Sequence, residues 1–119
     1  MATPTPPEMA PTATPEPVTF DIQEIKTPHY VEASVAHGVI LETSPTELSI
    51  TFNFTLAPPT QLRVVKEGEP IVTSNAISED RLVLSANVPN QGSGIYIVYY
   101  EACWPDGSCH QGQFGFVVA

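Results

Sequence analysis

A chain of 119 residues is long enough to bury a core of its own as one domain. Its 4 Lys and Arg against 13 Asp and Glu give a formal charge of −9, which repels phosphate backbones and anionic headgroups and argues against nucleic-acid and membrane-surface binding. No helix-period segment of useful length, no apolar run of the roughly 18 residues a membrane span needs, and no basic-then-apolar leader is legible, so an all-β domain is expected.

Residues 1–17, dense in Pro and Thr and poor in large apolar side chains, read as a disordered or polyproline-like tether, because they cannot bury enough surface to offset their ordering entropy. The domain proper is expected over residues 18–119. Its first candidate strand, Val18 to Ile25, alternates Val18, Phe20 and Ile22 with polar neighbours. His29 to Val35 follows Pro28 and sets Val31, Ala33 and Val35 on one face. The turn Ala36-His37-Gly38, a short apolar run Val39–Leu41 and the turn Ser44-Pro45 come next. Thr46 to Thr55 shows the cleanest period of two, with Leu48, Ile50, Phe52 and Phe54 expected inward, the mark of a sheet with one buried face. Gln61–Lys66 and Pro70–Ser74 flank the Glu67-Gly68 turn as a hairpin, and Arg81–Val88 gives a further strand.

The last stretch, Gly94 to Val118, organises the rest. Two alternating runs, Ile95–Tyr100 and Gln113–Val118, flank a turn-rich segment that holds both cysteines, the only tryptophan and one of three histidines. About seven or eight short strands, with turn signals roughly every ten residues, predict an immunoglobulin-like Greek-key β-sandwich. Cys103 and Cys109 enclose Trp104-Pro105-Asp106-Gly107-Ser108, and Pro-Asp-Gly turns the chain so that the sulfurs face each other. A disulfide is expected there, worth roughly 2 kcal/mol on the chain-entropy account, in keeping with an oxidising compartment. The competing use of the pair is soft ligation of copper(I) or zinc with His110.

Three pieces of this hairpin, Tyr96-Ile97-Val98-Tyr99-Tyr100, Asp106-Gly107-Ser108 and Gly112-Gln113-Phe114-Gly115-Phe116, resemble the closing hairpin of the CopC-like copper-resistance domain. The Ala36-His37-Gly38 turn and the strand Leu48–Phe54 resemble its first third, so that the likeness runs over roughly residues 29 to 118. The resemblance implies a periplasmic β-sandwich with a copper site made by an amino-terminal His together with an Asp and a His spaced D-x-H. Here Asp106 falls on the family's Asp, but Ser108 falls on its His, no His carries a free amine, and the Met-rich segment of some members is missing. His110, two residues beyond Ser108, and His29, two beyond the family's first residue, can compensate if the opening and closing strands run parallel side by side, since a shift of two keeps a side chain on its face.

The resulting candidate site is copper, as copper(II), on His29, His110 and Asp106, with Trp104 as a screening aromatic and Cys103–Cys109 fixing the loop. Against it stand plainer roles: His29 and His110 as solvated residues and Trp104 as a cap on the sandwich. His37 belongs at the opposite end and is left out. With no nucleophile elbow, phosphate loop or metal-protease pair, no enzyme is expected. The expected function is copper buffering, transfer or resistance by an exported, monomeric, periplasmic or cell-surface domain. A lipid anchor upstream and a copper-transport or oxidase-assembly membrane protein as partner accompany that reading. The alternative is a structural or adhesive immunoglobulin-like module on its tether.

Overall fold

The computed structural model describes residues 22–71 and 73–119, so the tether and the first part of the candidate strand Val18–Ile25 lie outside the described residues. Nine strands follow in order: β1 Tyr30–Ala33, β2 Ile40–Leu41, β3 Glu47–Phe52, β4 Gln61–Lys66, β5 Glu69–Ile71, β6 Ser74–Ile77, β7 Val83–Asn87, β8 Gly94–Cys103 and β9 Cys109–Val118. They form two sheets, one in the order β1-β3-β7-β6 and the other β2-β9-β8-β4-β5. Every pairing is antiparallel except β2 with β9. The molecule is an all-β sandwich, as the alternation predicts, and no described helix is long and apolar enough to cross a membrane.

The period of two becomes packing directly. Leu48, Ile50 and Phe52 of β3 and Leu84 and Ala86 of β7 face Leu62 and Val64 of β4, Tyr96, Val98 and Tyr100 of β8, and Phe114 and Phe116 of β9 across a dry core. Each large apolar side chain buried there stabilises the fold by about 1.5–3 kcal/mol relative to its exposed state. Tyr96 stacks on Phe116 with ring centroids 5.0 Å apart, and its hydroxyl donates to the Gly92 carbonyl at 2.6 Å, so a phenol can be buried here without an orphaned polar atom.

Three sequence expectations change, and one condition set for the copper site is not met. A bulge between Tyr30 and Glu32 shifts the parity of β1, so that Tyr30 packs against the core while Val31 is 51% exposed. Phe54, expected inward, is 43% exposed, because β3 ends at Phe52 and the chain bends at Asn53, whose N–H bonds the His29 carbonyl at 2.8 Å. The arm expected over Pro70–Ser74 is two strands in different sheets: β5 pairs β4, while β6 crosses to pair β7. Finally, the opening segment does not run parallel to β9. Ile25 and Gln113 exchange both backbone hydrogen bonds in an antiparallel bridge, at 2.9 and 3.0 Å, before the chain turns at Pro28-His29 and enters the other sheet as β1.

Candidate metal centre at one end of the sandwich

The long hairpin β8–β9 carries the site. Its arms stay in register from Gly94↔Val118 to Cys103↔Cys109, and the two cysteines are joined by a disulfide, with no free cysteine among the described residues. The five-residue loop is closed internally: Trp104 N–H bonds Ser108 O at 2.9 Å and Gly107 N–H bonds Trp104 O at 3.0 Å. Gly107 takes φ 93°, the left-handed conformation that this turn requires and glycine adopts without penalty. The base of the loop is pinned from the side, where the Ala57 N–H bonds Cys103 O at 2.8 Å and the buried Thr60 hydroxyl accepts from Cys103 N–H at 2.9 Å while donating to Ala57 O at 2.6 Å.

Asp106 sits at the loop tip. Its Oδ1 accepts from the Ser108 hydroxyl at 2.7 Å and the Ser108 N–H at 2.9 Å. Those bonds, the hydroxyl first, hold its carboxyl below the ordinary carboxylate range, and the nearby His110 adds a smaller effect in the same direction. Both bonds fall on one oxygen, which leaves Oδ2 to act as a ligand. His110, exposed and paired with Ala102, lies on the same face of β9 as Gly112, Phe114 and Phe116, the face that looks toward the opposite sheet.

His29 reaches the same end of the sandwich from that opposite sheet. The segment leading to it is held by Tyr100, whose hydroxyl donates to Ile25 O and accepts from Thr27 N–H, both at 3.4 Å. Burial pushes the Tyr100 phenol up from its ordinary value, so it keeps its proton and its donor role. The Tyr30 N–H closes the turn on Thr27 O at 3.3 Å, and His29 takes φ 67°, unusual for a residue with a side chain. Its ring stacks on Phe54 at 4.8 Å and meets the edge of Trp104 at 5.2 Å. Trp104 itself is only 4% exposed and packs edge-on to Phe52 and Phe54 at 5.7 and 5.8 Å, so it caps the core and touches His29 at once.

The structure therefore gathers His29, Trp104, Asp106 and His110 at one end, but His29, Asp106 and His110 do not have ligand atoms within 4.8 Å of one another as a set. Among the described residues, the one group of three or more His, Cys, Asp or Glu that meets that separation is Glu101, Cys103 and Cys109. In that group the sulfurs are bonded to each other and are not thiolates, which removes the soft-ligand use of the cysteines in this state. His37 is placed where the sequence expects it, far along β9, accepting from Gly115 N–H at 3.2 Å. A separate cleft of about 260 Å³ on the outer face of the five-stranded sheet is lined by Ile25, Arg63, Tyr99, Glu101 and Gln113 and includes none of the candidate ligands.

Two neighbours escaped the sequence reading. Asn53 looks like an outward strand residue, yet its Oδ1 lies 2.9 Å from His29 Nδ1. Phe54 looks like core and instead forms a wall of the site. The only signal in the sequence was that a strand of apolar alternation ends on a polar-aromatic pair, which does not say where the chain bends.

The family model of the CopC domain matches residues 30–119. Among solved structures, CopC from Methylosinus trichosporium OB3b superposes with a TM-score of 0.69 at 20% identity, covering 81% of this chain and 93% of that one. PcoC, a methionine-rich copper resistance protein from Escherichia coli, superposes with a TM-score of 0.69 at 16% identity, covering 79% of this chain and all of that one (100%). No curated protein matches the sequence.

Proposed function

The chain belongs to the CopC domain family, and from that premise we propose that it is a copper-binding protein of copper resistance, which buffers or passes on the ion at the His29–Trp104–His110 end of the sandwich. The observation that supports the reading is the contact of His29, entering from one sheet, with Trp104, the first residue of the loop that carries Asp106 and leads into His110 on the other. Two imidazoles and a carboxylate oxygen form a donor set suited to copper(II). His110 is exposed, so its side chain can swing onto an ion presented by His29, while Asp106, held through Oδ1 by Ser108, offers its other oxygen. Trp104 and Phe54 screen one side of the site from water, which strengthens metal–ligand electrostatics. The disulfide limits how far the Asp106 loop can open.

Work in an oxidising, extracytoplasmic compartment, periplasmic or at the cell surface, agrees with the disulfide and with the family. A Pro/Thr tether, with a lipid anchor upstream of it, would hold the domain near a membrane, where a copper-transport or oxidase-assembly membrane protein would receive the ion. The protein acts by binding rather than by catalysis. No observation favours a purely structural or adhesive surface module.

Copper(II) titration of the purified protein, followed by the visible d–d band and by the fluorescence of the single tryptophan, tests this reading. Saturable one-to-one binding with quenching of Trp104 is expected, and His110→Ala should raise Kd by about tenfold or more. A flat or unsaturable response would refute it.

A further inference from the structure

We infer that Asn53 is a positioning residue which fixes the tautomer of His29, so that His29 meets copper through Nε2. The inference rests on the copper reading of His29 and adds to it the ligating atom and the residue that selects it. Asn53 holds His29 twice: its N–H binds the His29 carbonyl at 2.8 Å, and its Oδ1 lies 2.9 Å from the ring Nδ1. The two contacts set both backbone and ring of a residue at φ 67°, a conformation that persists only where the surroundings impose it. Phe54, stacked at 4.8 Å, and Trp104, edge-on at 5.2 Å, hold the plane of the ring, and the Asn53 contact sets which edge of it faces the amide.

An amide oxygen can only accept, so the nitrogen facing it carries the proton and the other nitrogen keeps its lone pair. His29 is therefore the Nδ1–H tautomer, whereas an unconstrained histidine prefers its proton on Nε2. No described residue bonds Nε2, and the side chain is exposed, so its lone pair is available to an ion. Metal-binding histidines are commonly oriented in this manner, with the second ring nitrogen donating to a neighbouring oxygen that makes the ligand more basic. His29 lies within the chain and has no free amine, and its ring Nδ1 is committed to Asn53, which leaves Nε2 as its one donor.

Nitrogen-15 NMR of the metal-free full chain, together with copper(II) titration of the same samples, tests the assignment. Wild type should show His29 protonated at Nδ1. In Asn53→Ala the proton should pass to Nε2 and the copper(II) Kd should rise about 10- to 100-fold. Asn53→Asp, which keeps an acceptor in place, should retain the Nδ1–H tautomer and bind at least as tightly as wild type. Near-UV circular dichroism of the variants reports that the aromatic cluster is intact. A wild-type His29 protonated at Nε2, or an Asn53→Ala protein unchanged in tautomer and affinity, overturns the role of Asn53. If wild type binds copper and Asn53→Ala binds it equally well, only this inference falls. If wild type binds none, the copper reading falls, and His29 as a ligand with it.

Discussion

Gly112 shows how far one residue's chemistry reaches in this protein. It faces Tyr100 across the hairpin, and a methyl group added to it would run into the Tyr100 ring at Cζ and the hydroxyl. The ring needs that place because its hydroxyl holds the Ile25–Thr27 segment that leads into His29. Gly112→Ala is expected to destabilise the protein by about 1–3 kcal/mol, the usual cost of overpacking a filled core, measured by denaturant unfolding. It should also weaken copper binding, since the displaced ring loosens the turn that carries His29. Asp80 offers a pH-dependent case away from the site. Its Oδ1 accepts from the Ser78 hydroxyl at 2.6 Å and from Leu82 N–H at 3.1 Å, and these bonds, the hydroxyl first, hold its carboxyl below the ordinary value. A carboxyl depressed in the folded state stabilises above its unfolded value of about 3.9, and the contribution disappears as pH falls through the folded value. Asp80→Asn should therefore lower the unfolding free energy at neutral pH, with a difference that closes as the pH is taken below the ordinary carboxylate range.

At the scale of elements, the hairpin β8–β9 was legible and β6 was not. Ile95–Tyr100 and Gln113–Val118 alternate strongly, and the Pro-Asp-Gly turn between them has one sensible geometry, so pairing and disulfide follow from local pattern. The sequence Ser74-Asn75-Ala76-Ile77 has one large apolar side chain and no alternation to read. Its place is settled by a contact distant in sequence. Beyond the end of β5, the Leu62 N–H donates to Asn75 Oδ1 at 2.7 Å and the Leu62 carbonyl accepts from Asn75 Nδ2 at 3.1 Å, so one amide side chain stands in for a missing strand and ties the two sheets together at their edge. Asn75→Ala leaves both Leu62 groups unpaired and should cost about 1–3 kcal/mol, with faster hydrogen exchange at Leu62 as its local signature. The opening segment teaches the same lesson. An antiparallel bridge at Ile25↔Gln113 brings His29 to the site end by a turn, where the copper reading of the sequence had made a parallel neighbour its condition.

Over the whole molecule, a formal charge of −9 surrounds a small donor set, and the field of the domain should draw a dication toward it. The screening length shrinks from about 30 Å to about 8 Å between roughly 10 mM and 150 mM salt, so the stopped-flow association rate of copper(II) is expected to fall over that range. A rate independent of salt would mean that only the local ligands act on the incoming ion. What the sequence determined on its own was whatever is encoded within a few residues: which side chains of Leu48–Phe52, Tyr96–Tyr100 and Phe114–Phe116 face inward, the sandwich class that follows, and the closing of Cys103 on Cys109. Tertiary structure alone decided the bulge that turns Val31 out, the bend that moves Phe54 from core to site, and the placing of His29 between Asn53, Phe54 and Trp104. Side-chain alternation is a property of the strand itself, whereas a bulge, a bend or a ring's orientation depends on which distant backbone groups are there to bond.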